Sequence, residues 1–465
     1  MNDPALPMGT PILDEQETVF DRDDPAFELD DPEYVMGDMA LPAGESDQQT
    51  PLSGSAFSSA VIGSVPRISI QAFCETEETA SIVDTASTDR RLSRAQTSVQ
   101  LGGIIAAANY YTNAPSPNLL IVESTSDRDN LLAELGELAQ SCDPGTKVIV
   151  IGHLNDVILY RELMREGVSE YIVAPISQLQ IIESISNLYN DPETAPVGRV
   201  ICFVGARGGA GSSTIAHNVG WAIAEHQKEN TVVVDLDLPF GTAGLNFNQD
   251  PPQGIAEALS SPERMDEVLL ERLLTQCTDR LSLFASPGAI DRDYEFDAEA
   301  LESIISVVRQ NVPTVVIDVP HVWTPWAKSV LLGADEIVIT AIPELASLRN
   351  AKNLIDTAKA DRPNDFDPRL VLNQVGVPKR PEIAPQDFTK ALDIEPTLII
   401  PYDPQLFGTA ANNGQMIEEI GENSKTASSL RSLAALMCGR EEAIQEPKSL
   451  LGPLLGKFSF KKDSN

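Results

Sequence analysis

Short β-branched runs alternate with longer segments whose apolar residues recur every three or four positions, and this alternation fills most of the chain. Between Pro66 and Tyr189 the runs Arg67–Phe73, Gln96–Gln100, Leu119–Glu123, Lys147–Gly152 and Glu170–Val173 read as strands. Arg128–Ser141, Asp156–Glu166 and Gln178–Leu188 read as amphipathic helices. Strands that alternate with helices build a parallel sheet, because each helix carries the chain back to start the next strand. The pattern predicts a small five-stranded, doubly wound α/β domain. Asn190–Val197, with two prolines, predicts a linker. A second series follows from Arg199 to about Gly439, with strands at Arg199–Val204, Thr231–Leu236, Leu281–Ala285, Thr314–Val319, Glu336–Ala341, Arg369–Asn373 and Thr397–Ile400. The organisation expected is a tail and linker over 1–65, a smaller domain over 66–190, a larger one over 198–440 and a tail over 441–465.

Charge changes the picture at both ends. The 465 residues include 33 Lys+Arg and 69 Asp+Glu, a net charge of −36. Affinity for phosphate backbones comes from cations that displace counterions, so nucleic acid is disfavoured as a partner. Residues 1–50 hold fourteen acids and one base, Arg22, with six prolines among them. Such a segment buries too little apolar surface to offset its ordering entropy, and disorder is expected there. The five cysteines are scattered and form no C-x-x-C pair, as in a reduced, cytoplasmic protein. None of the four histidines has zinc spacing. The sequence predicts neither a signal peptide nor a membrane span.

The chemistry gathers in Val204-Gly205-Ala206-Arg207-Gly208-Gly209-Ala210-Gly211-Ser212-Ser213-Thr214, between an apolar strand and a helix. Glycines there let backbone N–H groups curl around a polyphosphate, and the helix N-terminus adds positive potential. The hydroxyls of Ser213 and Thr214 sit where Mg²⁺ and a phosphate oxygen would be. The lysine of a P-loop is replaced by Ser212. Two further runs, Val232-Val233-Val234-Asp235-Leu236-Asp237 and Val315-Val316-Ile317-Asp318-Val319-Pro320, end strands in carboxylates. All three clusters fall at C-terminal strand ends, where open parallel sheets place ligands.

From Val200 to Met437 these motifs resemble the ParA/MinD family of deviant-Walker P-loop ATPases, whose loop reads K-G-G-x-G-K-[ST]-[ST]. The resemblance implies a P-loop NTPase-like parallel sheet that binds ATP with Mg²⁺. Its implied roles are a backbone cradle at Gly208, Gly209, Ala210 and Gly211, Mg²⁺ held by Ser213 and Asp318, and phosphate contacts from Ser212 and Thr214. Asp237 would orient the attacking water, and Arg207 would reach across a homodimer to the partner's nucleotide. Asn373, in Leu370-Val371-Leu372-Asn373-Gln374, would read adenine, and Pro401 and Asp403 would close the base pocket. The smaller domain, followed by this ATPase and by Phe407-Gly408-Thr409-Ala410-Ala411-Asn412-Asn413-Gly414, is similar to the CpaE/TadZ family. That similarity implies a localisation factor for Flp-type (Tad) pilus secretion machines. It would meet secretion components and a polar landmark, in the cytoplasm at a cell pole or peripheral to the inner membrane.

The departures lower the expected activity. A charge-assisted hydrogen bond is worth roughly 1.5–3 kcal/mol net, so a neutral Ser212 weakens nucleotide binding by about one to two decades. Hydrolysis is expected to be slow or absent, since phosphoryl transfer rests on positioning and electrostatics. Two other readings stay open: a non-catalytic scaffold with a vestigial loop, and a DNA-binding partitioning ATPase that the net charge disfavours.

The smaller domain resembles a receiver (flavodoxin-like) without the chemistry. Glu123 stands at the end of the third strand where a receiver has Asp, and Ala174 stands near the fifth where it has Lys. Glu75, Glu77 and Glu78 keep some acidity after the first strand. Glu123 is either a surface carboxylate or a stand-in for a phosphoryl group, and the domain is expected to dock or dimerise rather than relay phosphate. Leu450, Leu451, Leu454, Leu455 and Phe458 would share a helical face among lysines, as in a peripheral membrane anchor. Gly452, Pro453 and Gly456 interrupt it, and a flexible or docking tail is the competing reading.

Overall fold

A computed structural model describes residues 65–189, 197–291 and 293–440. The expected acidic tail (apart from Val65), residues 190–196 of the expected linker and the 441–465 tail lie outside the described residues. The first sheet is built from β1 (Ser69–Cys74), β2 (Gln96–Leu101), β3 (Leu119–Ser124), β4 (Lys147–Gly152) and β5 (Glu170–Val173). All are parallel, in the order β2-β1-β3-β4-β5. The second sheet comprises β6 (Arg199–Gly205), β7 (Thr231–Asp235), β8 (Thr275–Gln276), β9 (Leu281–Phe284), β10 (Thr314–Val319), β11 (Glu336–Ala341), β12 (Arg369–Val375) and β13 (Leu398–Pro401). Its order is β13-β12-β11-β6-β10-β7-β9-β8. Only β8 runs antiparallel within that sheet, and with two residues it is too short to leave an alternation in the sequence. The fold class expected from the sequence is the one observed.

Why these runs become strands is visible in their burial. Every residue of β3 and β10 is buried, as in parallel sheets covered by helices on both faces. Successive side chains point to opposite faces, so Val200, Cys202 and Val204 of β6 join one core layer while Ile201 and Phe203 join the other. Among the described residues no helix is long and apolar enough to cross a membrane.

The two sheets fall within one compact unit, and they meet through an ion-pair seam. Arg90, in the tight turn just before β2, donates from Nε to Asp365 Oδ2 at 2.7 Å and from Nη1 to Asp335 Oδ1 at 3.1 Å. Arg91 pairs with the same Asp365, which also accepts from Arg362 Nε at 2.8 Å. Arg309 Nη2 reaches Asp335 Oδ2 at 3.2 Å. Asp335 immediately precedes β11, and Asp365 lies in the loop before β12. The contacts therefore join the N-terminal ends of strands in both sheets. The C-terminal strand tips of each lie away from the seam.

Candidate functional site

The glycine-rich loop leaves β6 at Gly205 and enters the helix Ser212–Ala222. Gly209 and Gly211 have φ of +80° and +89°, a region that disfavours side chains. A Cβ at 211 would also stand 2.5 Å from Asn373 Nδ2. Four side chains tether the loop's carbonyls from outside. The His321 ring Nδ1 lies 2.9 Å from Gly205 O, and Asn350 Nδ2 donates to Ala206 O at 2.8 Å. Gln374 Nε2 donates to Gly209 O at 3.1 Å and Asn373 Nδ2 to Ala210 O at 2.9 Å. Because C=O and the next N–H point oppositely across a trans peptide, the Arg207 and Gly211 N–H groups are turned away from these tethers. The first-turn amides of the helix have no intrahelical acceptor, and Gly211 supplies no side-chain cap. Ser212 Oγ is buried without a hydrogen-bond partner. An orphaned hydroxyl beside free amides is what a phosphate oxygen would satisfy.

The acids sit beside this loop on adjacent strand tips. Asp235 (β7) and Asp318 (β10) are register partners; β10 lies next to β6 and its loop, and β7 is the strand beyond it. Asp235 is fully buried; its Oδ1 accepts from Asp237 N at 3.0 Å, and its Oδ2 from Ala243 N at 3.1 Å and Ser286 Oγ at 3.0 Å. Burial, and then the Asp318 charge, push its carboxyl up to about 6. Asp237 is half-buried and also raised, first by burial, with Phe240 N donating to it at 3.2 Å in opposition and Asp318 adding to the rise. One hydroxyl and one carboxylate, completed by phosphates and waters, is an ordinary Mg²⁺ donor set, and Ser213 with Asp318 fits it. Among the described residues no cluster of three or more His, Cys, Asp or Glu forms a metal site of its own.

The other residues expected at the site are placed as follows. Arg207, exposed, pairs with Glu344 of its own chain. Gly208 faces open space, and Ala210 is buried. Ser213 and Thr214 occupy the first helical turn, half-buried, and Thr214 O accepts from Asn218 Nδ2. Asn373 is buried and turned onto the loop, its Oδ1 accepting from Gln374 N at 2.9 Å. Pro401 ends β13 and pairs in register with Val375. Asp403 caps the helix Pro404–Asn413 through Leu406 N at 2.9 Å. The sequence reading missed Asn350 and His321 as tethers, and passed over Gln374 and the fully buried His217.

In the smaller sheet the surface-carboxylate reading of Glu123 is corrected. Its side chain is fully buried and saturated. Its oxygens accept from Glu75 N and Thr76 N at 2.8 Å, Thr79 Oγ1 at 2.8 Å and Thr76 Oγ1 at 3.0 Å, and His153 Nε2 stands at 3.1 Å. Burial alone would raise its pKa, but these hydrogen bonds hold it below the ordinary carboxylate range. Glu75 is itself occupied, accepting from Thr125 N at 2.8 Å. Glu77 and Glu78 lie in the first turn of the helix that follows β1.

No protein-family profile matches the chain. It is 24% identical over 227 residues to the septum site-determining protein MinD of Synechocystis, covering 47% of this chain and 81% of that protein. Among solved structures, MinD of Pyrococcus horikoshii, complexed with Mg-ADP, is 22% identical, covers 51% of this chain and 95% of that one, and has a TM-score of 0.45. A pilus assembly protein CpaE of Caulobacter crescentus is 52% identical over 28% of this chain, in its N-terminal part, and 98% of its own, with a TM-score of 0.27. Identical at 52% of the aligned positions along 98% of that relative, the chain belongs to the CpaE pilus assembly proteins.

Proposed function

We propose that this chain is an ATP-binding localisation factor of the ParA/MinD type for Flp-type pilus assembly, which dimerises around nucleotide and hydrolyses it slowly or not at all. The observation that carries the reading is the loop itself: carbonyls tethered outward by four side chains, with Ser212 Oγ buried and unpartnered beside the helix N-terminus. Such a cradle holds a polyphosphate by main-chain amides. Ser213 and Asp318 would hold Mg²⁺, which supplies charge neutralisation on the phosphates when bound. Asp237, half-buried just beyond the end of β7, would accept a hydrogen bond from a water if turnover occurs.

A second copy fits the same end of the sheet. Phe240, Leu245, Trp323 and Leu345 follow the tips of β7, β10 and β11 and are 69%, 72%, 56% and 73% exposed. Large apolar side chains gathered at one end of a molecule mark an interaction surface. Arg207, expected to cross that interface, is held by Glu344 at the start of the helix Leu345–Asp361. Exposed ion pairs are worth about 0–1 kcal/mol. Glu344→Gln is therefore expected to free Arg207 and strengthen ATP-dependent dimerisation up to about fivefold in sedimentation velocity; unchanged or weaker association would remove Arg207 from the interface. The smaller sheet is proposed as a pseudo-receiver that contacts the secretion machinery or a polar landmark, supported by the internally saturated Glu123.

The deciding experiment is equilibrium dialysis with labelled ATP and Mg²⁺. Wild type is expected to bind, and Ser212→Lys to bind about 10–100-fold tighter and to acquire turnover, since it restores a charge-assisted bond. If neither protein binds, the chain is a scaffold with a vestigial loop.

A further inference from the structure

His217 is the buried group for which the roles above leave no use. It lies on the helix that begins at the glycine-rich loop, one turn past Thr214, and is fully buried. Its Nδ1 stands 2.8 Å from Asn246 Nδ2, in the short helix Ala243–Asn246 that closes the segment carrying Asp237. An amide nitrogen only donates, so Nδ1 accepts and the ring proton sits on Nε2. That Nε2 has no hydrogen-bond partner, yet it faces Asp318 Oδ2 at 3.4 Å. Phe247 holds the ring plane, with centroids 5.6 Å apart. One imidazole thus touches three parts of the site: the loop helix that carries it, the tip of β10 and the segment after β7.

We propose that His217 is a positioning residue that aims the Asp318 carboxylate and locks the Asp237–Phe247 segment to it, so that a change at either is passed to the other. A group behind a metal-facing carboxylate fixes its orientation and is nearly as consequential as the carboxylate itself. A slight turn of Asp318 would complete the missing Nε2–H hydrogen bond. Because Asn246 holds the opposite nitrogen, that turn would tighten the segment bearing the exposed Phe240 and Leu245. The nucleotide-linked part of this inference rests on the ATP-binding reading; the mechanical part does not.

Two measurements on the ligand-free chain test it first. Ring ¹⁵N–¹H correlation spectra should show His217 protonated on Nε2 only, the signal being identified by its loss in His217→Phe. Hydrogen exchange of residues 237–247 should quicken about tenfold in His217→Phe, which keeps an aromatic ring but no polar atom, and return most of the way in His217→Gln, which restores a donor and an acceptor. A proton on Nδ1, or unchanged exchange in His217→Phe, overturns the proposal. With ATP present, Mg²⁺ should raise nucleotide affinity in wild type and lose at least a tenfold share of that gain in His217→Phe, while Mg²⁺-free affinity stays within about threefold. An equal loss with and without Mg²⁺ also counts against it. If wild type binds no nucleotide at all, the functional reading fails, and the two ligand-free measurements still decide the role of His217.

Discussion

Glu123→Ala is expected to remove about 3–5 kcal/mol from the stability of the smaller sheet. The carboxylate is buried and accepts from two backbone amides and two threonine hydroxyls, with the His153 ring against it. Deleting it strands every one of those donors, and each unsatisfied buried polar group costs about 1–3 kcal/mol before relaxation and water entry. Glu123→Gln should be only partly better, because its amide nitrogen turns a donor toward donors. The pH dependence has a definite sign. The folded pKa lies below that of an ordinary carboxylate, so the stabilisation is complete at neutral pH and fades as pH falls through the ordinary value toward the folded one. Denaturant unfolding followed by circular dichroism from pH 7 to pH 3 should show a larger loss in wild type than in Glu123→Ala, the difference being the part due to Glu123. A variant within 1 kcal/mol of wild type at pH 7 would mean that the hydrogen bonds carry no net stability. Since the carboxylate already satisfies the site, a small phosphodonor should leave no acid-labile label on this sheet.

Asp365→Ala is expected to cost a similar amount and to uncouple the two sheets. Asp365 accepts from Arg90, Arg91 and Arg362 with only a twentieth of its side chain exposed. The three arginine charges hold its pKa down against the rise that burial would impose. Removing one member of a buried pair leaves charge without compensation, typically at 3–5 kcal/mol. Calorimetry is expected to show one unfolding transition in wild type and two in the variant, with the larger sheet retaining its own. Asp365→Asn keeps an acceptor and should fall between them. A single unshifted transition in Asp365→Ala would show that the seam does not bind the sheets together.

How legible this was in the sequence differs from part to part. Strands of the β3 and β10 kind were readable because burial on both faces demands an unbroken apolar run. The loop was readable because positive φ and close approach demand glycine at fixed spacing. The tethers were not. Asn350, Asn373 and Gln374 lie 144, 163 and 165 residues from the carbonyls they hold, so only the strand order brings them there. Asn373 did draw notice, as a reader of the base; its bond to the loop at Ala210 O did not. His217 reads in sequence as one polar residue on an apolar helix, and Glu123 as a polar residue ending a strand. Each acquires meaning only from neighbours supplied by other strands.

The seam of arginines and aspartates ties together the ends at which strands of the two sheets begin. The glycine-rich loop and Glu123 stand at the other, C-terminal strand ends, so neither belongs to the seam. Several ion pairs sharing two aspartates make a joint in which loosening one pair loads the others.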